Sequence, residues 1–323
     1  MSIESAKISI VIPCYNEEKN VGPLADKLVE IMDETNYKYE IIFTDNCSTD
    51  GTRNHLRELA QNNKSIKVLM NSRNYGIDGR SGRNALRYVS GNAVILMACD
   101  FQDPPELIPE FLKWWEQGYK VVCGQKTSSK EGKIKYHLRD LFYRIINSLS
   151  ETPQYSHISG ITLMDREVLD EWLKTDHDYY LRFALADMGY QIKLIDYQQQ
   201  KRRSGKSSYN IWRYLTFAID SMVSTSRLPI RMITVIGGIM SILSFLIGLF
   251  YLSFKLRYWN LFTAGTAPIL IGLFFFGSVQ LFFLGIIGEY VGVILRKVTH
   301  RPDVILSEKI NFEDEDSGGD INE

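Results

Sequence analysis

Asp100 and Gln102 stand two positions apart, directly after an apolar run at residues 94–99 (VILMAC). In an extended segment, side chains two positions apart lie on the same face. A carboxylate and an amide oxygen together suit Mg²⁺ or Mn²⁺, hard cations that proteins bind through one or two carboxylates plus substrate phosphates. The spacing therefore predicts a divalent-metal site at Asp100 and Gln102. Asp103, which comes just before two prolines, is predicted instead to cap the helix that follows.

Asp45 lies in a second polar cluster, residues 44–52 (TDNCSTDGT), at the end of the apolar run 40–44 (EIIFT). A carboxylate at such a position can accept hydrogen bonds from a ribose or a base, as acidic residues do in dinucleotide sites. The alternative is that the polar side chains only cap the next helix. We favour helix capping for Asp50 and ligand binding for Asp45.

These polar clusters have to be positioned by the apolar runs before them, and a third run, residues 7–13 (KISIVIP), also ends in a polar cluster. Runs of this composition are typical of buried parallel strands. Because helical patterns alternate with the runs, we expect an α/β fold with a doubly wound, mostly parallel sheet that binds ligands at the carboxyl ends of its strands. The predicted strands are 7–13, 40–44, 66–70, 94–99 and 120–124, and the predicted helices are 21–32, 52–60, about 81–90 and 106–117.

The 37 basic and 38 acidic residues of this 323-residue chain nearly balance, so the composition gives no general attraction to nucleic acid. The N-terminus has no basic segment followed by an apolar core, and no signal peptide is expected. The cysteines form no CxxC pair and are predicted to be buried free thiols of a cytoplasmic domain. They are Cys14, Cys47, Cys99 and Cys123.

Two long runs near the C-terminal end, residues 232–254 and 258–288, contain no Asp, Glu, Lys or Arg. Each exceeds the roughly 20 helical residues that cross the hydrocarbon core of a bilayer. Basic residues flank the outer ends of both runs, which predicts cytoplasmic termini by the positive-inside rule. Residues 133–149 are expected to form a basic amphipathic helix, and residues 209–228 an amphipathic helix in the membrane interface.

The predicted organisation therefore has four parts: a cytoplasmic catalytic domain (1–208), a juxtamembrane interface helix (209–231), two transmembrane helices (232–295) and a cytoplasmic tail (296–323). We expect the chain to lie in the plasma (cell inner) membrane. The tail is acidic and is predicted to be disordered from Glu308 onward. Glycines in the apolar runs permit close helix approach, which favours a homo-oligomer.

Nine motifs along residues 8–302 together resemble glycosyltransferase family 2, whose members have a GT-A type fold. With the apolar pair, they are similar to the polyprenyl-phosphate glycosyltransferases, the group of bactoprenol glucosyltransferase and dolichyl-phosphate mannose synthase. Each motif alone is weak, and their order is specific. They are IPCYNEEKN (12–20), TDNCSTDGT (44–52), SRNYG (72–76), CDFQDPPELIP (99–109), LMDREVLD (163–170), RRSGKSSYN (202–210), LPIR (228–231), GEYVG (288–292) and RP (301–302).

The resemblance implies inverting transfer of a sugar from a nucleotide sugar, with a UDP-sugar favoured, to polyprenyl (undecaprenyl) phosphate at the cytoplasmic membrane face. It also assigns roles to residues of this chain. The implied nucleotide contacts are Pro13, Tyr15, Glu17 and Asp45. Asp100 and Gln102 are implied to hold Mg²⁺ or Mn²⁺ and the donor diphosphate, Arg202 and Ser207 to close over the phosphates, and Arg139 and Arg144 to contact the lipid phosphate.

Two positions depart from the family pattern. Ala98 replaces the first acid of an Asp-x-Asp pair, and Gly160 stands where many members carry an acid. The first change leaves fewer protein charges on the metal, and the second removes a candidate general base. Because the second pKa of a phosphate monoester is near 6, a polyprenyl phosphate is largely ionised at neutral pH and can attack without a base.

Two other functions stay open at this point. The departures at Ala98 and Gly160 are compatible with a catalytically impaired membrane protein that binds a nucleotide sugar. A processive polysaccharide synthase fits less well, because such enzymes carry Gln-x-x-Arg-Trp and here Arg203 follows Gln199 to Arg202.

Overall fold

The computed structural model describes residues 6–76, 79–128, 158–175, 181–200, 266–298 and 304–312, together with scattered positions between 235 and 257. The described residues belong to two compact units. One contains the whole β-sheet, and the other contains the helix Thr266–Val298.

Eight strands form a single mixed sheet in the order β7-β5-β6-β4-β1-β2-β3-β8. Four neighbouring strands, β4, β1, β2 and β3, are parallel, as expected from the sequence, and β5 pairs in parallel with β7. The antiparallel pairs are β4–β6, β5–β6 and β3–β8. The strands are β1 (Lys7–Cys14), β2 (Lys38–Asp45), β3 (Ile66–Asn71), β4 (Ala93–Leu96), β5 (Val121–Ser128), β6 (Ile158–Asp165), β7 (Ile192–Gln198) and β8 (Leu306–Ile310).

Helices cover both faces of this sheet because its central strands are apolar on both sides. In β1, Ile10 and Ile12 face one core, which α1 and α4 complete, while Val11 faces a second core, which α3, α5 and α6 complete. The described helices are α1 (Glu18–Asp33), α2 (Thr52–Asn62), α3 (Arg80–Ala85), α4 (Ile108–Glu116), α5 (Arg166–Leu173), α6 (Leu181–Asp187) and α7 (Thr266–Val298). The α/β fold class is confirmed.

The structure corrects two predictions about strands. The fourth strand ends at Leu96 rather than at residue 99, since only Ala93–Leu96 pairs with β1. The tail is not disordered from Glu308 onward: Leu306–Ile310 pairs with β3, and Glu308 itself lies opposite Met70. The alternation of apolar and charged residues in this strand (LSEKI) fits an edge strand with one face on the protein.

Several predicted elements lie outside the described residues, namely the basic helix 133–149, the interface helix 209–228 and most of the run 232–254. The helix α7 falls largely within the second apolar run. Across the described part of the chain, no helix combines the length and the apolar character needed to cross a membrane.

Candidate active site

The carboxyl ends of β4, β1 and β2 are neighbours in the sheet, and each is soon followed by a residue with a left-handed backbone. These residues are Asn16, Cys47 and Phe101, with φ of 56°, 62° and 59°. The left-handed region costs most residues other than glycine roughly 1–2 kcal/mol, and less for an asparagine such as Asn16, and such conformations cluster at ligand-binding sites. Three strained turns beside three adjacent strands therefore mark this edge of the sheet as the candidate site.

Asp45 ends β2, and its side chain is completely buried. Arg53, in the first turn of α2, donates from Nε to Asp45 Oδ2 at 2.7 Å, and the Ser48 N–H lies 3.1 and 3.2 Å from the two carboxylate oxygens. Arg53 also donates from Nη2 to the carbonyl of Asn71, at the end of β3. Asp45 is thus an organising residue of the site, and its predicted contact with a nucleotide stays a prediction.

Side chains join the loop after β1 to the loop after β2. The Asn16 N–H donates to Ser48 Oγ at 2.8 Å, and the Thr49 N–H donates to Asn16 Oδ1 at 2.8 Å. Asp50 Oδ1 accepts the N–H of Thr52, the first residue of α2, at 3.0 Å. Asp50 therefore satisfies the start of α2 as predicted, although the N-cap position itself is Gly51. We call residues 15–17 and 46–52 the polar rim.

The other predicted nucleotide contacts differ in how accessible they are. Tyr15 is 39% exposed, so its ring is available to stack on a base. Glu17 is buried and accepts a hydrogen bond from Asn20 Nδ2 in the first turn of α1. Pro13 packs under α3, where a Cβ on Gly82 would come within 3.0 Å of Pro13 Cγ. The structure thus gives Glu17 and Pro13 clear packing roles, whereas Tyr15 offers its ring to a ligand.

The loop after β4 carries Asp100 and Gln102, both half-buried. Asp100 Oδ1 accepts the N–H of Gln102 at 3.2 Å, so the two residues belong to one tight turn. The carbonyl of Gln102 accepts the N–H of Gln200 at 3.1 Å. This last contact joins the loop to the segment that follows β7.

The oxygen atoms of this loop fit one mode of metal binding. Within the described ranges, no group of three or more His, Cys, Asp or Glu side chains is arranged to hold a metal ion. One carboxylate, Asp100, and one amide oxygen, Gln102, are instead the kind of set that holds Mg²⁺ or Mn²⁺ together with substrate phosphates. The site therefore fits a cation that arrives with a diphosphate, and not one held by the protein alone.

The structure shows that the prediction of a helix cap at Asp103 is wrong. The short 3₁₀ turn Pro105–Leu107 and helix α4 both begin without a side-chain cap, and the Asp103 side chain is buried, with the whole residue 3% exposed. Tyr197 on β7 donates its hydroxyl to Asp103 Oδ1, and Lys126 Nζ on β5 lies 4.0 Å from the same oxygen. Burial raises the pKa of Asp103 above its ordinary value. The nearby Lys126 charge and the hydrogen bond from Tyr197 act in the opposite direction but do not outweigh burial.

Gly160 on β6 explains where the Asp103 carboxylate lies. A Cβ atom at position 160 would come within 3.0 Å of Asp103 Oδ2, which is tighter than about nine in ten real Cβ contacts. Position 160 thus faces the Asp103 carboxylate from the β4 loop.

None of the four cysteines forms a disulfide. Cys14, Cys99 and Cys123 are buried as predicted, whereas Cys47 is half-buried and differs from the prediction. Burial raises the pKa of the Cys14 thiol well above its usual range, and Cys99 and Asp45 add to this effect. Cys14 is therefore a neutral packing residue at the end of β1.

Arg139, Arg144, Arg202 and Ser207 lie outside the described residues, so their predicted roles stay predictions. Sequence reasoning missed Arg53, Asn46, Tyr75 and Lys126, which the structure brings to the carboxyl edge of the sheet. Arg53 could have been found from the sequence, since a basic residue one turn into a helix can reach back to an acid at the end of the preceding strand. Tyr75 and Lys126 owe their positions to pairings between distant strands.

Three comparisons place this chain among known proteins. The family model described as glycosyl transferase family 2 matches residues 9–173. An uncharacterized glycosyltransferase of Synechocystis is 34% identical over 95% of this chain and 96% of its own length. The bactoprenol glucosyl transferase of Shigella phage SfV is 30% identical over 93% of this chain and 98% of its own length. A solved structure, mannosyltransferase PcManGT of Pyrobaculum calidifontis, matches 68% of this chain and 64% of that chain with 18% identity and a TM-score of 0.46.

The chain belongs to glycosyltransferase family 2, and it is a glycosyltransferase. Within that family it is similar, over nearly its whole length, to proteins named bactoprenol glucosyl transferases. The resemblance inferred from the nine motifs is confirmed.

Proposed function

We propose that this chain transfers one sugar from a nucleotide sugar to polyprenyl phosphate at the cytoplasmic face of the plasma membrane. A single observation carries the proposal: the polar rim and the Asp100 loop follow three neighbouring parallel strands at the same ends of the sheet, in a chain similar along its length to bactoprenol glucosyl transferases. Undecaprenyl phosphate is the favoured acceptor and a UDP-sugar the favoured donor.

The donor nucleotide would bind at the polar rim. Tyr15 can stack on the base, and the loops after β1 and β2 present polar groups around Asp45. The diphosphate would then extend toward Asp100 and Gln102 at the end of β4, the strand beside β1. When bound there with the diphosphate, Mg²⁺ or Mn²⁺ would stabilise the charge that develops on the leaving nucleoside diphosphate.

Arg202 and Ser207 are proposed to close over the phosphates. The observation that supports them is the hydrogen bond between the Gln200 N–H and the Gln102 carbonyl. Arg202 follows Gln200 by two residues, and two residues of chain span at most about 7 Å. A long, planar guanidinium with that tether can reach a diphosphate held at Gln102.

The acceptor phosphate also needs positive charge. Lys126 lies beside Asp103 at the carboxyl half of β5, and we add it to Arg139 and Arg144 as a candidate contact for the lipid phosphate. In the proposed reaction, a phosphate oxygen of the lipid attacks C1 of the sugar, the bond from C1 to the nucleoside diphosphate breaks, and the anomeric configuration inverts. An ionised phosphate needs no base for this step, so Gly160 is compatible with activity.

We propose that residues 232–254 and 258–288 cross the membrane as a hairpin and that both termini are cytoplasmic. Sheet pairing supports the even number of crossings: β7 precedes these runs, β8 follows them, and both strands belong to one sheet. A chain that ended on the other side of the membrane could not form β8. Labelling of a single cysteine at position 260 from outside intact cells, without labelling at position 317, is expected, and the reverse pattern would contradict this topology.

A panel assay tests the proposed function. Membranes that contain the protein are incubated with undecaprenyl phosphate and, one at a time, radiolabelled UDP-, GDP- and other nucleotide sugars, and the lipid fraction is extracted. We expect label in the lipid from one donor class, and none from membranes that carry Asp100→Asn. Label that stays entirely in the aqueous phase for every donor would refute the proposal.

A further inference from the structure

Strand β8 is the last strand on one side of the sheet, beside β3, which in turn lies beside β2. It runs antiparallel to β3, with Met70 opposite Glu308 and Asn71 opposite Leu306. Because antiparallel strands run in opposite directions, the start of β8 lies at the carboxyl end of β3. The segment that follows the apolar runs therefore returns to the edge of the sheet that holds the candidate site.

Two hydrogen bonds of Ile305 join the residue before β8 to the loop after β3. The Ile305 N–H donates to the Tyr75 hydroxyl at 2.9 Å, and the Ser72 N–H donates to the Ile305 carbonyl at 2.9 Å. Tyr75 is only 4% exposed, and Arg73 packs on its ring with its guanidinium carbon 4.2 Å from the ring centre. The position of Tyr75 is thus set by residues that lie 230 positions later in the chain.

Tyr75 in turn holds the polar rim. Its N–H donates to Asn46 Oδ1 at 2.9 Å, and Asn46 Nδ2 donates to the carbonyl of Gly76 at 2.8 Å. The Asn46 N–H donates to the Cys14 carbonyl at 2.9 Å, which joins it to the end of β1. Asn46 directly follows Asp45, so this chain of contacts leads from β8 to the rim.

A second chain of contacts leads from β8 to Asp45 itself. Ser307 Oγ donates to the Met70 carbonyl at 3.1 Å and lies 3.4 Å from the Asn71 carbonyl. Arg53 Nη2 donates to the same Asn71 carbonyl, while Arg53 Nε holds Asp45 Oδ2 at 2.7 Å. The two chains of contacts therefore reach the neighbouring residues Asn46, in the polar rim, and Asp45, just before it, by different routes.

We propose that β8 is part of the donor site and that Tyr75 and Ser307 are positioning residues, which hold Asn46 and Asp45 where the nucleotide binds. The inference rests on the proposed function, because it assigns the nucleotide to the rim. It makes the segment after the apolar runs necessary for tight donor binding, through its contacts with Tyr75 and with the Asn71 carbonyl. Glycosyl transfer would thus depend on the integrity of a strand far from the catalytic motifs in sequence.

Other contacts dock β8 without help from Tyr75 or Ser307. Arg57 on α2 donates to both carboxylate oxygens of Glu308, the shortest contact being 2.7 Å, from Nη2 to Oε2. Asn311 Nδ2 donates to the carbonyls of Ala60 and Ile66 at 2.6 and 2.8 Å. Removal of one hydroxyl is therefore expected to loosen the rim while β8 stays paired with β3.

The test uses full-length protein with Tyr75→Phe, Ser307→Ala, both together, and Tyr39→Phe as the matched control. The Tyr39 hydroxyl also makes a hydrogen bond, donating to Asp33 Oδ1 at 2.6 Å. Tyr39 pairs with Ile8 near the amino ends of β2 and β1, at the other end of these strands from the candidate site. Binding of UDP, GDP, CDP and dTDP is measured by calorimetry with Mn²⁺ present. Hydrogen–deuterium exchange of segments 45–49 and 72–76 is measured without nucleotide, and the KM for undecaprenyl phosphate is measured separately.

One of the four nucleotides is expected to bind. Tyr75→Phe should raise its Kd about fivefold, and the double variant should raise that Kd about tenfold or more, as for one or two lost hydrogen bonds. Exchange should rise in both segments, and the control and the KM for undecaprenyl phosphate should stay unchanged. Equal Kd values and equal exchange in wild type and double variant would overturn the inference. If wild type binds none of the four nucleotides, the proposed function fails, and the exchange data still decide whether β8 holds the rim.

Discussion

Glu40→Gln is predicted to remove a large, pH-dependent part of the stability of the catalytic unit. Glu40 lies on β2 opposite Ser9, near the amino ends of the strands, and is 1% exposed. Lys7 Nζ and Lys67 Nζ each lie 2.9 Å from its Oε2, and Ser9 Oγ donates to its Oε1 at 2.6 Å. The Ser90 N–H donates to the same Oε1 at 2.7 Å.

These contacts determine the magnitude. Burial alone would raise the pKa of Glu40, but the hydrogen bonds from Lys7, Ser9, Ser90 and Lys67 outweigh it and lower the pKa to about 2. Each pKa unit corresponds to about 1.4 kcal/mol, so the difference from an ordinary glutamate is worth roughly 3 kcal/mol of folding free energy at neutral pH. Because the folded pKa lies below the unfolded one, this stability is present above about pH 4.5 and is lost as the pH falls toward 2.

Urea unfolding of the detergent-solubilised protein, followed by tryptophan fluorescence, measures the effect at pH 7 and at steps down to pH 3. Glu40→Gln should lower the unfolding free energy by roughly 3 kcal/mol at pH 7, and the gap from wild type should narrow as the pH falls. Glu30→Gln is the control, because the Lys27–Glu30 pair is exposed and should contribute little. A gap that is absent at pH 7, or that stays constant with pH, would refute this account of Glu40.

Three further predictions concern the site. Asp100→Asn should abolish transfer in a folded protein, and excess chelator should do the same to wild type. The metal concentration needed for activity should be in the millimolar range, because Ala98 supplies no carboxylate. Full activity in excess chelator would contradict this prediction. Arg202→Lys should lower turnover roughly 100-fold, because lysine keeps the charge but loses the planar fork, while donor binding and membrane association are retained. Arg203→Lys, the control, should change turnover little. Near-normal turnover of Arg202→Lys would reduce Arg202 to a membrane contact. Gly160→Ala should destabilise the protein in thermal unfolding, because its Cβ would lie 3.0 Å from the Asp103 carboxylate, which Tyr197 holds in place. Wild-type stability would count against that geometry.

The central strands could be predicted from the sequence because they are buried on both faces. The run 7–13 became β1, and the runs 40–44 and 66–70 became parts of β2 and β3, since continuous apolar runs leave little choice of element. The edge strand β8 could not be predicted in this way. Its sequence, LSEKI, alternates apolar with polar residues instead of forming a continuous apolar run, and its partner strand lies far away in the chain. The Arg57–Glu308 pair, 251 positions apart, shows the distance over which that pairing acts.

The candidate site was predicted in outline because polar residues at the ends of parallel strands meet at one edge. Its internal contacts were not predicted. Asp103 was assigned to a helix cap because two prolines follow it, yet the approach of β5, β6 and β7 gives it Lys126, Gly160 and Tyr197 as neighbours. Local sequence carries no signal for contacts that depend on which strands become neighbours.

The most direct test of the central claim is the product made by the purified chain. Protein in detergent is supplied with undecaprenyl phosphate, Mn²⁺ and the donor that labels membranes, and the lipid is analysed by mass spectrometry while released nucleoside diphosphate is counted. We predict a lipid heavier than undecaprenyl phosphate by one sugar residue, with one nucleoside diphosphate released for each lipid formed. A polymer, release of nucleoside diphosphate without change in the lipid, or donor binding without any release would contradict the claim that this chain glycosylates polyprenyl phosphate.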